Sequence, residues 1–172
     1  PNPVSDSWTV SFVQGGPQLP ASITVDSLAS WTDFAGDEYK AFSGTAVYTT
    51  TIDKVPVADV IKLDLGFVAE NASVYLNGDY IGTVIDSPYQ LYIPAEKFKG
   101  QDELVVRVAN SMANRIAYMD KKGVDWKIFY NVNMSARKKE NVKNGIFDAS
   151  DWEPKSSGLL GPVTLTPAMV KQ

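Results

Sequence analysis

IKLDLGFVAENASVYLNGDYIGTVI, residues 61–85, contains three short strand patterns, two of which flank a hairpin turn. Its first five residues, IKLDL, alternate apolar and polar side chains, which predicts a strand with one apolar face. A second alternating run ends at Leu76, directly before Asn77-Gly78. An Asn-Gly pair between two strands favours a type I′ turn, because that turn needs a positive φ at both central residues. The stretch therefore predicts antiparallel sheet.

The remainder of the chain repeats this rhythm of short alternating runs. Eight or nine short strands separated by turn signals favour an all-β fold, a jelly-roll β-sandwich of two antiparallel sheets. We expect one domain that spans residues 1–172. The inward-facing positions of the runs predict its core: Val10, Phe12, Leu63, Leu65, Val74, Leu76, Val106, Val108 and Val163.

Residues 116–157, called the excursion below, interrupt the rhythm before the last predicted strand. The excursion carries six aromatic side chains, which are too many for a disordered tail. It is also basic: residues 115–157 hold nine Lys or Arg against six Asp or Glu, whereas the rest of the chain holds seven against fourteen. We therefore expect one long ordered insertion, with a short helix within 133–144.

The composition excludes several classes of chemistry. The chain has no Cys and no His, so disulfides, thiolate metal sites, Ser-His-Asp triads and imidazole bases are unavailable. A net charge of −4 argues against nucleic acid as a partner. No apolar stretch is long enough to span a membrane. The opening PNPVSDSW lacks the basic and apolar regions of a signal peptide, as a mature or trimmed form would.

Carboxylates are the main catalytic groups that remain. Glycoside hydrolysis needs two of them, about 5–5.5 Å apart in retaining and about 6.5–9.5 Å apart in inverting enzymes. Asp37-Glu38 and Asp102-Glu103 are neighbours in sequence, but neighbours on a strand point to opposite faces. They are better explained as solvated charges. The sequence requires no cofactor, and a structural Ca²⁺ held by oxygen ligands stays an open alternative.

Several phrases occur in an order that resembles a known family. They are WTDF (31–34), FSGTAVY (42–48), LDLG (63–66), VYLNG (74–78), PY (88–89) and SGLLGPVTL (157–165). Together they resemble the galactose-binding-like jelly roll that accompanies glycoside hydrolases, most of all the C-terminal β-sandwich of family 106 α-L-rhamnosidases. The set is also similar to the sugar-binding domain of family 2 β-galactosidases and β-glucuronidases.

In these enzymes the catalytic centre lies on a separate barrel domain. The resemblance therefore implies a non-catalytic accessory module of a larger, secreted or periplasmic bacterial glycosidase. Its implied partners are the catalytic domain of the same polypeptide and carbohydrate, with no nucleic acid and no membrane. In the family 2 relatives a long excursion approaches the neighbouring active site, which implies the same position for the excursion here. No catalytic residue is carried over, because no motif in the excursion aligns residue by residue.

The excursion and its first flanking residue hold the candidate carbohydrate-binding residues. Trp126, Tyr130 and Trp152 offer aromatic faces for a sugar ring. Arg115 and Asn131 offer donors and acceptors for hydroxyl groups. The alternative is that the aromatic residues form a small core within the excursion, or a face docked on another domain.

Two further residues are predicted to belong to the framework. Trp31 offers a possible sugar platform, but it is expected to close the core of the sandwich. Asn110 ends a predicted strand, and its amide is expected to satisfy nearby backbone groups.

Several functions fit such a sandwich. A non-catalytic module of a polysaccharide-degrading glycosidase is favoured, and an independent carbohydrate-binding module or lectin is the main alternative. A small enzyme is disfavoured by the missing His residues and acid pair, and an adhesion domain would share the same fold.

Overall fold

The computed structural model describes residues 2–5, 7–128 and 138–169. The strands are β1 (Asn2–Pro3), β2 (Trp8–Gly16), β3 (Ile23–Val25), β4 (Ser43–Ile52), β5 (Val60–Asp64), β6 (Phe67–Ala69), β7 (Asn71–Leu76), β8 (Asp79–Val84), β9 (Gln90–Pro94), β10 (Asp102–Ala109), β11 (Val142–Lys143), β12 (Ile146–Phe147), β13 (Gly158–Gly161) and β14 (Thr164–Ala168). The α-helices are α1 (Asp37–Ala41) and α2 (Ala113–Lys121). Turns of 3-10 helix lie at Trp31–Asp33, Ala95–Lys97 and Lys139–Asn141.

Two antiparallel sheets form the sandwich. The smaller has the order β1-β14-β5-β9, and the larger has the order β3-β2-β4-β10-β7-β8. All eight residues of β10 pair with β4, from Asp102 opposite Ile52 to Ala109 opposite Thr45. β6 and β13 pair with each other beside these sheets. The predicted all-β sandwich of two antiparallel sheets is confirmed.

The predicted hairpin joins β7 to β8. Asn77 and Gly78 have φ angles of 52° and 85°, and Leu76 lies opposite Asp79. This is the two-residue turn that the Asn-Gly pair favours. All three strand patterns of residues 61–85 are confirmed, but they divide between the sheets, since β5 belongs to the smaller and β7 and β8 to the larger. The short strand β6 lies between them in the chain.

The core follows the alternation in the sequence. All nine residues predicted to be inward-facing are buried, with at most 6% of any side chain exposed. Trp31 is fully buried and packs edge-on against Phe12 and Phe42, with ring centroids 5.6 and 5.5 Å apart. Its prediction as a framework residue is confirmed, and a sugar has no access to its indole.

The helical segments agree with the sequence-based expectation only in part. The described part of 133–144 contains the 3-10 turn Lys139–Asn141, and residues 129–137 lie outside the described residues. The main helix of this region is α2, which begins just before the excursion. No side chain caps its N-terminus at Met112, so the sequence lacks the usual start signal. Two short strands, β13 and β14, follow the excursion rather than one.

Candidate functional site

Asn110 anchors the segment that leads from β10 into α2. Its Oδ1 accepts a hydrogen bond from the Gly44 amide at 2.8 Å. Its Nδ2 donates to the Phe42 carbonyl at 3.1 Å and to Ser157 Oγ at 2.9 Å. The predicted role of Asn110 in satisfying backbone groups is therefore confirmed. The same amide ties the start of the excursion region to its end.

Asn114, on α2, adds a second tie at the same place. Its Nδ2 donates to the Lys155 carbonyl at 2.9 Å, and the Lys155 amide donates to its Oδ1 at 2.8 Å. Ser157 is held from the other side, because its amide donates to Ser30 Oγ and its carbonyl accepts from the Trp31 amide. The excursion therefore leaves and rejoins the sandwich at one hydrogen-bonded base.

Asp120, near the end of α2, is the polar centre of the excursion. Its side chain is 1% exposed and forms an ion pair of 2.7 Å with Lys127. Its Oδ1 also accepts from the indole Nε1 of Trp126 at 2.7 Å, and its Oδ2 accepts from the Ala149 amide at 2.8 Å. A buried carboxylate needs such partners. Asp120 thus joins the helix to both the outgoing and the returning parts of the excursion.

The returning part of the excursion is organised around Trp152. Its Nε1 donates to Asn141 Oδ1 at 2.9 Å, and its ring meets that of Phe147 edge-on at 5.8 Å between centroids. Phe147 belongs to the small β11–β12 hairpin, in which it pairs with Val142. These contacts fix the indole while leaving it half-buried at the surface of the excursion.

A charged cluster lies beside Trp152. Lys143 Nζ is 3.4 Å from Asp148 Oδ1 and 3.1 Å from Asp151 Oδ2. The hydrogen bond from the Ser150 hydroxyl lowers the pKa of Asp148, and the hydrogen bond to Asp151 raises the pKa of Lys143. Both shifts favour the ionised forms at neutral pH.

A cleft of about 820 Å³ opens between these elements. One wall is α1, a second is α2, and the third is the returning part of the excursion from Lys143 to Pro154. Tyr118 and Trp152 present the aromatic surfaces of this space, which we call the α2 cleft. A smaller cavity of about 180 Å³ adjoins it, and Tyr118 and Asp37 line both.

The structure separates the predicted carbohydrate-binding residues that it describes. Trp152 lines the α2 cleft. Trp126 is held against Asp120, and Lys127 Nζ lies 5.4 Å from the centre of its ring. Arg115 packs its guanidinium against Gly16, where a Cβ atom would approach Cζ to 2.8 Å. Its buried Nε has no hydrogen-bond partner among the described residues. The predicted sites Tyr130 and Asn131 lie outside the described residues.

Sequence reasoning missed Tyr118 as a wall of the cleft and Asn114 and Asp120 as its supports. A helical assignment for Ala113–Lys121 would have placed Asn114 and Tyr118 on one face, since they are four residues apart. The partners of Asp120 are 6 to 29 residues away in the chain, so no local pattern reveals them. The cleft depends on these longer-range contacts.

Two classes of site can be tested directly against the geometry. Within the part of the chain that the structure describes, no three Asp or Glu side chains converge to hold a metal ion. The described residues therefore offer no carboxylate cluster for the Ca²⁺ that the sequence left open. Among the same residues, no helix is both long and apolar enough to cross a membrane.

Comparisons with known proteins connect this architecture to glycosidases. The chain matches no family model. It is 31% identical over 182 residues to the Formosa agariphila protein named "Putative beta-glucuronidase", and 96% of this chain aligns with 16% of that protein. It is 30% identical to a solved rhamnosidase from Novosphingobium sp. PP1Y, with a TM-score of 0.71, over 95% of this chain and 14% of that one.

A GH2 β-galacturonidase from Eisenbergiella tayi shows a more distant likeness. It is 18% identical, and the match has a TM-score of 0.51 over 63% of this chain and 19% of that one, which shows similarity of fold alone. In each case a large part of this chain corresponds to a small part of a much longer glycosidase. The predicted resemblance to a galactose-binding-like domain of glycoside hydrolases is confirmed.

Proposed function

We propose that this chain is a non-catalytic β-sandwich module of a larger, α-L-rhamnosidase-like glycoside hydrolase that degrades polysaccharide. The observation that carries the proposal is the match of nearly the whole chain to a small part of a solved rhamnosidase. A module of that kind supports the catalytic domain and shapes the approach to it. We propose the whole of residues 1–172 as that one module, and the catalytic domain of the same polypeptide as its partner.

The charges in the excursion support a non-catalytic role. Lys143 brings Asp148 and Asp151 together, so they are a possible acid pair. A glycosidase acid must keep its proton near neutral pH, which requires a raised pKa. The pKa of Asp148 is instead lowered, first by the hydrogen bond from the Ser150 hydroxyl. The pair therefore suits a salt-bridge cluster better than acid catalysis.

The excursion is the proposed contact surface. Its base is closed by hydrogen bonds, and Asp120 joins its described outgoing and returning parts, so these described parts present a fixed surface. We propose that it meets the catalytic domain or glycan through the residues predicted from the sequence: Arg115, Trp126, Tyr130, Asn131 and Trp152. We also propose a secreted or periplasmic location in a bacterium, where polysaccharide is accessible.

An independent carbohydrate-binding module is the second candidate. The α2 cleft favours it, because half-buried aromatic rings and fixed polar groups line one open space. In this alternative the chain would bind sugar without any catalytic neighbour.

Hydrolysis assays test whether the chain is instead a small enzyme in its own right. The purified chain is incubated with 4-nitrophenyl α-L-rhamnoside, β-glucuronide, β-galacturonide and β-galactoside, and release of 4-nitrophenol is followed. We expect no turnover above the uncatalysed rate. Turnover that Asp148→Asn or Asp151→Asn abolishes, in a variant that keeps its melting temperature, would contradict the non-catalytic role.

A further inference from the structure

We infer that the α2 cleft binds a neutral oligosaccharide, an inference that rests on the proposed role in polysaccharide degradation. The walls of the cleft are held in place by hydrogen bonds. Asn114 fixes α2 to the end of the excursion, and Asp120 fixes it to Ala149. The third wall is braced by the hydrogen bond between Trp152 and Asn141. A ligand would therefore meet walls that are already in place, which limits the entropy lost on binding.

Tyr118 gives the cleft a partly exposed aromatic ring and a polar group. The residue is half-buried, and its hydroxyl has no hydrogen-bond partner among the described residues. Lys122 Nζ lies 5.8 Å from the centre of its ring. Trp152 lines the wall formed by the returning part of the excursion. Aromatic faces suit the C–H-rich faces of sugar rings, and a free phenolic hydroxyl can donate to or accept from a sugar hydroxyl.

The charge of the lining selects a neutral ligand over an anionic one. Five carboxylates and four lysines line the cleft, and the buried carboxylate, Asp120, is neutralised by Lys127. The remaining four carboxylates and four lysines balance, so the cleft offers no net positive charge that would attract uronate or sulfated chains. Carboxylates accept hydrogen bonds and lysines donate them, so together they match the hydroxyl groups of a neutral sugar.

The size of the cleft fits an oligosaccharide. Its volume of about 820 Å³ lies within the range of about 300–1,000 Å³ that is usual for small-molecule sites. Its open side faces solvent, so a chain of sugar units can extend beyond it. Glu153 lies at this rim and has no ion-pair partner among the described residues, which leaves its carboxylate available as an acceptor.

Calorimetric titration of the full 172-residue chain tests the inference. The neutral probes are cellotetraose, 1,4-linked galactotetraose and a rhamnotetraose, and tetragalacturonate is the anionic probe. We expect saturable binding of at least one neutral probe and at least tenfold weaker binding of tetragalacturonate. Tyr118→Ala should weaken the neutral probe about tenfold. Tyr92→Ala is the matched control, because Tyr92 is an exposed residue of β9, and it should leave binding unchanged.

Three results would overturn the inference: no saturable binding of any neutral probe, equal or tighter binding of tetragalacturonate, or unchanged affinity in Tyr118→Ala. If Tyr118→Ala lowers the melting temperature, Glu153→Gln decides instead, and unchanged affinity in that variant overturns the inference. The two proposals can fail separately. If the reading frame joins this chain to a catalytic domain but the chain binds no sugar, the cleft inference fails and the module proposal stands.

Discussion

Asn114 and Lys155 exchange two hydrogen bonds across the base of the excursion, one from Nδ2 to the Lys155 carbonyl and one from the Lys155 amide to Oδ1. The two residues are 41 positions apart in the chain. This reciprocal pair of hydrogen bonds closes the loop of chain between the two residues. The Asn114 amide is therefore one of the main ties that hold the two ends of the excursion together, beside the hydrogen bond from Asn110 to Ser157.

Asn114→Ala should loosen the base of the excursion. The change leaves the part-buried Lys155 amide without its acceptor, whereas the Lys155 carbonyl keeps the hydrogen bond from the Ser157 hydroxyl. An unsatisfied buried group costs about 1–3 kcal/mol, so we expect a loss near the lower end of that range. We expect a lower free energy of unfolding in urea and faster proteolysis within 116–157. Asn71→Ala, at an exposed position of β7, is the control and should change neither. Equal proteolysis of the two variants would show that the base is held by other contacts.

Asp120→Asn tests the polar centre of the excursion. Asn cannot balance the charge of Lys127. It also has a single oxygen, so it can accept from the Trp126 indole or from the Ala149 amide but places its NH₂ group against the other donor. Breaking a buried ion pair costs about 3–5 kcal/mol. We expect a fall in stability and a red shift in tryptophan fluorescence as Trp126 becomes more exposed. Asp125→Asn, at an exposed neighbouring position, should show neither effect.

Leu65→Ala tests the core that the alternating sequence predicts. Leu65 is fully buried, and a buried Leu→Ala change costs about 2–5 kcal/mol through lost burial and the cavity left behind. Leu19→Ala removes the same atoms from a side chain that is 51% exposed, so it should cost much less. Denaturant midpoints of the two variants give the comparison. Similar losses would mean that Leu65 does not occupy the core.

Tyr48 should make stability fall at alkaline pH. Burial raises its pKa to about 12, partly offset by the hydrogen bond from the Leu159 amide. Because the pKa is higher in the folded chain than the usual value near 10, the contribution to stability is complete below about pH 10. It is lost as the pH rises from about 10 to about 12, at about 1.4 kcal/mol per unit.

Tyr48→Phe is the matched variant for this effect. It should be less stable than the parent at pH 7, by about 1–3 kcal/mol, because the Leu159 amide loses its acceptor. The difference should shrink as the pH rises from about 10 to about 12, since Phe does not ionise. A constant difference in the free energy of unfolding across that range would contradict the assignment of the alkaline loss to Tyr48.

The local part of the fold was predictable, and the site was only partly so. Alternation identified the buried residues of β5, β7 and β10, and Asn77-Gly78 identified the hairpin, because both signals lie within a few neighbouring residues. The ties from Asn114 to Lys155 and from Asp120 to Ala149 join residues that are far apart in the chain. A single sequence carries no local signal for them, so Tyr118 could not be assigned to a cleft wall.

The most direct test of the proposed module is the reading frame that encodes this chain in its source genome. We expect the frame to continue through the 172 residues into a polypeptide several times longer, with a second domain that carries two catalytic carboxylates. Deleting the segment for these residues from that gene should then yield an enzyme of lower stability whose catalytic carboxylates are intact. A frame bounded by its own start and stop codons around these 172 residues alone would contradict the proposal.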